Sequence, residues 1–205
     1  EETSSSMVVD AWYNKSLWLY LLTPFSLIYS FVASRRRRKF LSGKRNSWKP
    51  DTPIIIVGNI TIGGTGKTPL VKYIANELKD LGYKPGIVSR GYGGNYSGTH
   101  EVNSKSTYKE TGDEAQILSK LNMPFYLDRN RPRAVKNLVE NNDCDVVIAD
   151  DGLQHYQLGR DIEIVVIDGA RRLGNSLCFP AGPLRESSNR LNSVDFIVNN
   201  GGPTG

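Results

Sequence analysis

The chain is poor in the residues that build metal cages and covalent frameworks. Of 205 residues, two are cysteine, Cys144 and Cys178, and two are histidine, His100 and His155. Two cysteines so far apart make neither a disulfide framework nor a zinc spacing, and they fit a reducing cytosol. Two histidines exclude a histidine-rich metal site. The order of charge and apolar residues is informative too. The basic cluster Arg35-Arg36-Arg37-Arg38-Lys39 follows the apolar stretch Leu17 to Ala33 instead of preceding it, which is the wrong order for a signal peptide. There is no internal repeat and no low-complexity linker. The length makes one domain the default, with room for a sizeable core.

Basic charge is thin outside one arm. The net charge is +5, but Arg35 to Lys49 holds eight basic residues and no acid. Those eight leave 18 of the 26 Lys and Arg against 21 Asp and Glu elsewhere, so the body is slightly acidic. That distribution argues against a nucleic-acid groove and for no nucleic-acid partner. The apolar stretch falls short of the about 20 residues a spanning helix needs, and Thr23-Pro24 interrupts it. Leu, Tyr and Phe followed by arginines fit an interfacial, membrane-associating helix, with the arginines on anionic headgroups. A core helix with a solvated charge run and a spanning helix are the competing readings. Glu1 to Ser6 precede the first methionine and read as tag-like or frayed. Residues 1–50 are thereby set apart from a body at 51–205.

What the body does have is one organising stretch, Val57-Gly58-Asn59-Ile60-Thr61-Ile62-Gly63-Gly64-Thr65-Gly66-Lys67-Thr68. It follows the β-branched run from Ile54. It opens a segment in which Leu70, Ile74, Leu78 and Leu81 recur at helical spacing, with Gly82 as a stop. A strand, a glycine-rich turn and a helix in that order are the context of a phosphate-binding loop. Glycines let backbone N–H groups curl around a phosphate, and the helix N-terminus adds partial positive charge. Residues Thr61 to Thr68 would form the nucleotide cradle, with Lys67 on the terminal phosphates and the Thr68 hydroxyl on Mg²⁺. The strict pattern wants glycine where Thr61 stands, and Gly63-Gly64 supply the missing backbone freedom.

The rest of the body alternates. Strands are expected at Ile54–Val57, Pro85–Ser89, Met123–Leu127, Val146–Ala149, Ile162–Ile167 and Phe196–Val198. A helix is expected over Arg131–Glu140 with Ala134, Val135 and Leu138 inward. Asn95 to Lys109 reads as polar loop or weak hairpin. The fold class is α/β, a P-loop NTPase-like, mostly parallel sheet with helices on both faces. Val146–Ala149 ends in Asp150-Asp151-Gly152, where a carboxylate after a phosphate loop holds Mg²⁺ directly or through water. Asp168-Gly169 reads as a turn. Thr111-Gly112-Asp113-Glu114 reads first as a capping box, with Thr111 at the N-cap and Glu114 closing it. The rival reading makes Asp113 a base for a hydroxyl proton. Arg90, Arg131, Arg133 and Arg185 fall near strand ends, where any could clamp a phosphate.

Taken together these residues resemble the tetraacyldisaccharide 4'-kinase (lipid A 4'-kinase) family of Gram-negative bacteria. The matching stretches are Thr23-Pro24-Phe25-Ser26, Val57 to Thr61, Gly63 to Pro69, Ser89 to Gly93, Gly112-Asp113-Glu114, Asp150 to His155, Val166 to Gly169 and Pro180 to Glu186. Thr61 is usual in that family. The resemblance implies ATP-dependent phosphorylation of the 4'-hydroxyl of a lipid A disaccharide precursor, a tetraacyldisaccharide 1-phosphate. The reaction would occur at the cytoplasmic face of the inner membrane. It implies ATP and Mg²⁺ as cofactors, Lys67 and Thr68 on them, and Glu114, Asp150 and Asp151 around the metal. It makes Asp113 the base, and it places Arg90, Gln154, His155, Arg185 and Glu186 on the substrate side. Family members continue into a second α/β domain, where a histidine pairs with the aspartate matching Asp113. The 205 residues alone are therefore expected to bind nucleotide weakly and turn over poorly. A membrane-docking ATPase or GTPase switch is the alternative. Ile62 stands where its sharpest relatives carry lysine, and no Asn-Lys-x-Asp guanine reader is present.

Overall fold

The computed structural model describes residues 2–14, 16–103 and 105–202. The first elements are helix α1 (Glu2–Tyr13), a 3-10 segment (Leu17–Leu22), α2 (Thr23–Leu41), β1 (Ile54–Gly58), α3 (Lys67–Asp80), β2 (Pro85–Ser89) and β3 (His100–Glu101). Then come α4 (Tyr108–Thr111), α5 (Asp113–Ser119), β4 (Phe125–Leu127), α6 (Arg131–Asn141), β5 (Val146–Asp150), β6 (Ile162–Asp168), a second 3-10 segment (Ser188–Ser193) and β7 (Phe196–Asn200). The chain forms two compact units, one of Asn46–Gly58 and Gly66–Ile164, the other of Glu1–Arg45, Asn59–Thr65 and Val165–Gly205. It passes from one to the other within the glycine-rich loop, at Thr65-Gly66, and within β6.

The sheet order is β3-β4-β2-β5-β1-β6-β7. In the larger unit β1 lies parallel to β5 with Val57 opposite Asp150. β2 lies parallel to β5 and to β4, while β3 is antiparallel on β4. All five residues of β2 and of β5 are buried, which is why Val146 to Ala149 shows no polar alternation. The crossovers β1–α3–β2 and β4–α6–β5 run in opposite directions across the sheet. A right-handed turn in each puts α3 and α6 on opposite faces. α3 packs on β1, β2 and β5, and α6 on β2 and β4.

The expected inward residues of α6, Ala134, Val135 and Leu138, are fully buried. In α3 the expected stripe is displaced. Val71 and Ala75 occupy the buried centre, Leu70, Ile74 and Leu78 flank it, and Leu81 is 73% exposed. Smaller side chains at the centre let this helix lie close over the strands. Among the described residues, Asn95 to Lys109 contributes the short edge strand β3, paired with β4, and the start of α4.

The capping box lies one turn earlier than expected. Thr107 N–H donates to Glu110 Oε2 at 2.7 Å and its hydroxyl to the same oxygen at 2.9 Å, opening α4. Thr111 ends α4, and its hydroxyl donates back to Thr107 O at 3.1 Å. The N-cap of α5 is Gly112, without a side-chain cap. Glu114 therefore caps nothing and is exposed.

In the smaller unit Ala11, Trp12 and Leu19 form a small core, joined by Leu22 and by Ile62 of the glycine-rich loop. α1 begins at Glu2, so the residues before the first methionine are helical instead of frayed; Glu1 and the tail residues Pro203, Thr204 and Gly205 lie outside the described residues. Pro24 sits in the first turn of α2, where it lacks no helical hydrogen bond. The basic cluster continues the same helix. The inward stripe of α2 is small or polar (Ser26, Ser30, Ala33, Ser34, Arg37), while Phe25, Leu27, Ile28, Phe31 and Val32 are exposed. Such a pattern is inverted relative to a surface helix in water. Ser26 anchors it: its hydroxyl donates to Cys178 O at 2.7 Å and accepts from Ala181 N–H at 2.9 Å. Trp12 Nε1 donates to Pro180 O nearby, at 3.0 Å.

Gly112 has φ 81° and ψ 169°, a region that other residues scarcely reach. A Cβ there would lie 2.1 Å from Tyr92 O. Gly112→Ala is expected to cost about 1–3 kcal/mol in denaturant unfolding. A change within experimental error would show that the join between the Tyr92 loop and α5 repacks freely.

Candidate active site

In the larger unit β1, β2 and β5 are parallel, so their carboxyl ends share one edge, where open α/β sheets place ligands. β1 delivers the glycine-rich loop there, and α3 starts at Lys67 directly after Gly66. Lys67 and Thr68 are both buried. Lys67 Nζ lies 3.6 Å from Asp151 Oδ1. Asp151 has φ 48° in the turn after β5. Gly152 N–H ties that turn back to Val57 O at 3.3 Å. Gln154 and His155 follow in the same turn, half-buried.

Asp150 is wholly buried at the end of β5. Ser89 Oγ approaches its Oδ2 at 3.4 Å, and its Oδ1 has no hydrogen-bond partner. Burial first, and then the nearby carboxylates of Asp151 and Glu114, push the Asp150 carboxyl up to about 6; Lys67 and Arg131 pull the other way. A buried carboxyl oxygen without a donor is a ready cation ligand. Among the described residues no three His, Cys, Asp or Glu side chains gather as a cage.

Arg131 and Arg133 are not phosphate clamps. Arg131 is fully buried and donates to Asp128 O at 2.7 Å and to Asp150 O at 3.0 Å, fixing the backbone under the carboxylate. Burial lowers its guanidinium to about 10, so it remains charged at neutral pH. Arg133 holds the buried Asp128 carboxylate, with Nε at 2.6 Å. Arg90 is exposed in the loop after β2. Asp113 and Glu114 are exposed at the first turn of α5, with Tyr108 Oη 3.4 Å from Asp113 Oδ2.

The smaller unit holds the first half of the loop. Ile62 N–H donates to Pro183 O at 2.8 Å, and Arg185 N–H donates to Ile60 O at 2.7 Å, with Thr61 bridged to Leu184. The motif Pro180 to Glu186 is thus a backbone brace for the loop. Asn59 Nδ2 donates to Gly63 O at 3.2 Å and Asn200 Nδ2 to Thr65 O at 3.1 Å. Arg171 donates to Gly64 O. Asp168 forms the expected turn, accepting Ala170 N–H and Arg171 N–H, and also pairs with the Arg171 side chain at 2.7 Å. Gly63 has φ 106°, which bears out the freedom assigned to it. From sequence, Ser89 had no role beyond its place in the stretch Ser89 to Gly93, and Arg171 and Asn200 had none; Arg171 had a local mark, three residues after Asp168.

A glycine-rich loop between a parallel strand and a helix, with lysine and threonine opening that helix and a buried carboxylate on the neighbouring strand, defines a P-loop nucleoside-triphosphate fold. The chain belongs to the tetraacyldisaccharide-1-P 4'-kinase family, whose model matches residues 18–205. Relatives named tetraacyldisaccharide 4'-kinase include those of Coxiella burnetii strain RSA 331, 52% identical over 91% of this chain and 58% of its own length, and Shewanella frigidimarina, 48% identical over 94% and 58%. That of Aeromonas hydrophila is 44% identical over 97% of this chain and 60% of its own length. The crystal structure of LpxK from Aquifex aeolicus in complex with ATP superposes with TM-score 0.80 at 32% identity, covering 88% of this chain and 58% of that one. The chain therefore spans about three fifths of the length of the relatives it matches.

Because the Asp150 carboxyl is raised above its unfolded value, the folded state binds the extra proton between about pH 4 and pH 6. Its contribution favours folding below that window and is lost as pH rises through about 6. Asp150→Asn is expected to stabilise the metal-free protein at pH 7.5 by about 1–3 kcal/mol and to do little at pH 4.5. Equal melting shifts at both pH values would remove the carboxyl as the cause.

Proposed function

We propose that this chain carries the ATP-binding and acceptor-activating part of a kinase. It transfers the γ-phosphoryl of ATP to the 4'-hydroxyl of a tetraacyldisaccharide 1-phosphate, a lipid A precursor, to give lipid IVA. The observation that carries this reading is the Lys67–Asp151 pair beside the partnerless Asp150 oxygen, at the mouth of a P-loop in a chain of this family.

The loop N–H groups and Lys67 bind the phosphates and meet the charge that grows on the transferring group. Asp150 and the Thr68 hydroxyl, with Asp151 and Glu114, would hold Mg²⁺. Bound there, the ion would neutralise phosphate charge. Asp113 takes the proton of the 4'-hydroxyl as the new sugar O–P bond forms and the bond to the ADP oxygen breaks. Its exposure at the start of α5 leaves it open to an incoming hydroxyl. Arg90, Gln154, His155, Arg185 and Glu186 are assigned to the acceptor.

The inverted helix α2 supports docking on the cytoplasmic face of the inner membrane, where acceptor and ATP meet. The helical run Leu17–Leu41 is 25 residues, long and apolar enough to cross a bilayer, with only 11% of its apolar window buried. The buried hydrogen bonds of Ser26 to the chain near Cys178 and Ala181 favour lying in the interface, since a spanning helix would draw that polar backbone into lipid.

The test is transfer from labelled ATP to the tetraacylated disaccharide 1-phosphate in detergent, using the whole protein. Asp113→Ala is expected to lower kcat by about 10²–10⁴-fold with ATP binding kept, and Lys67→Ala to lose both transfer and ATP binding. Hydrolysis without lipid product would support a nucleotide switch instead. An unchanged rate in Asp113→Ala would end its role as base.

A further inference from the structure

Within the larger unit, the turn after β5 carries Asp151, Gln154 and His155, three of the residues assigned to the reaction. One arginine holds that turn. Arg160 Nε donates to Leu158 O at 3.2 Å, Nη1 to Leu153 O at 3.0 Å, and Nη2 to His155 O at 2.8 Å and to Leu158 O at 3.1 Å. Nη1 also donates to Glu163 Oε1 on β6, at 2.7 Å. The two side chains are 14% and 12% exposed, and the guanidinium carbon lies 5.2 Å from the centre of the Tyr156 ring. A guanidinium has five N–H donors and no acceptor. Here the protein engages all of them, so Arg160 is no phosphate clamp. Three carbonyls of one irregular turn converge on a single rigid fork.

What the fork fixes is the path of the backbone, and Asp151 needs it fixed. At φ 48° Asp151 is left-handed, a conformation that a residue with a Cβ keeps only when its surroundings over-determine it. On the early side of the turn, Gly152 N–H bonds Val57 O at 3.3 Å. Leu153 packs there on Gly58, where a Cβ would lie 2.6 Å from Leu153 Cβ. On the late side, Arg160 takes the carbonyls of Leu153 and His155. Between these two holds Asp151 Oδ1 stays 3.6 Å from Lys67 Nζ. We propose that Arg160, itself oriented by Glu163, is a positioning residue for the transfer: it sets Asp151 against Lys67 and presents Gln154 and His155 to the acceptor. This rests on the kinase reading above. Lysine at 160 would keep the pair with Glu163, but a point charge does not span three carbonyls as a planar fork does.

The experiment measures kcat and both KM values in detergent, for ATP and for the tetraacyldisaccharide 1-phosphate, with the whole protein. Arg160→Gln is expected to lower kcat about 10²-fold and to raise the acceptor KM several-fold. The KM for ATP is expected to hold, because the loop N–H groups and Lys67 are untouched. Arg160→Lys should fall between native and Arg160→Gln in kcat and in acceptor KM, and it carries the test if Arg160→Gln does not fold. A kcat that falls only in step with the folded fraction, with both KM values native, would make Arg160 a stabilising residue and overturn the proposal. Native kinetics in Arg160→Gln would overturn it too. Amide hydrogen exchange gives a readout without turnover. The N–H groups of His155 and Leu158 bond Gly152 O and His155 O within the turn, and both variants are expected to exchange faster there with α6 unchanged. Unchanged exchange at both amides would show that the turn stands without the arginine. Failure of the kinase reading looks different: the native protein itself would transfer no phosphate to the lipid, whatever the exchange shows.

Discussion

A loop that offers its N–H groups to an anion must have its other polar groups held from outside. The first half of this phosphate loop meets that constraint almost residue by residue. The carbonyls of Ile60, Gly63, Gly64 and Thr65 accept from Arg185, Asn59, Arg171 and Asn200, and Ile62 N–H donates to Pro183. Each bond contributes only about 0.5–1.5 kcal/mol net, so no single one decides folding. Together they fix a conformation that glycines alone would leave loose. The brace is non-local. It draws on residues more than a hundred positions downstream, which explains why the loop matches its motif in sequence while its support does not appear there.

The same brace ties helix α2 to the loop. Ser26 bonds Cys178 O and Ala181 N–H, and the chain then runs through Leu184 beside Thr61. Ile62 packs on the cluster around Trp12 and Leu19. A water-soluble domain would turn the apolar side of α2 inward, at about 25 cal/mol per Å² of area buried. Here the hydroxyls point inward and the large apolar side chains outward. Water cannot favour that choice, and a lipid surface can. The seat of α2 and the geometry of the loop are thus carried by one continuous run of packed structure in the smaller unit.

Local signals explain what was legible in the sequence. The runs at Ile54, Pro85 and Val146 became strands because apolar residues buried on both faces leave little alternative, while the run at Ile162 is half-buried along much of its length. The loop, Asp150 and the turn at Asp168 were readable because their chemistry sits in adjacent residues. Thr111-Gly112-Asp113-Glu114 misled because a capping box is a spacing that occurs by chance. Thr107 and Glu110 satisfy the same spacing four residues earlier, and Gly112 in an extended left-handed conformation starts α5 without them. Arg131 misled for a related reason: position near a strand end does not show whether a side chain turns to solvent or into the core.

Arg131 also shows how the site tolerates its own charge. Burial, and then the nearby carboxylates of Asp151 and Glu114, raise the cost of charge on Asp150. The buried guanidinium of Arg131 and the ammonium of Lys67 offset part of that cost. Arg131 spends its hydrogen bonds on the carbonyls of Asp128 and Asp150, not on the carboxylate. It therefore steadies the potential and the backbone while leaving Asp150 Oδ1 unmatched. A direct Arg131–Asp150 ion pair would be more stable and would occupy the oxygen that a cation needs. The arrangement gives up local stability to keep a ligand position open, which is the trade that the proposed metal-assisted transfer would require.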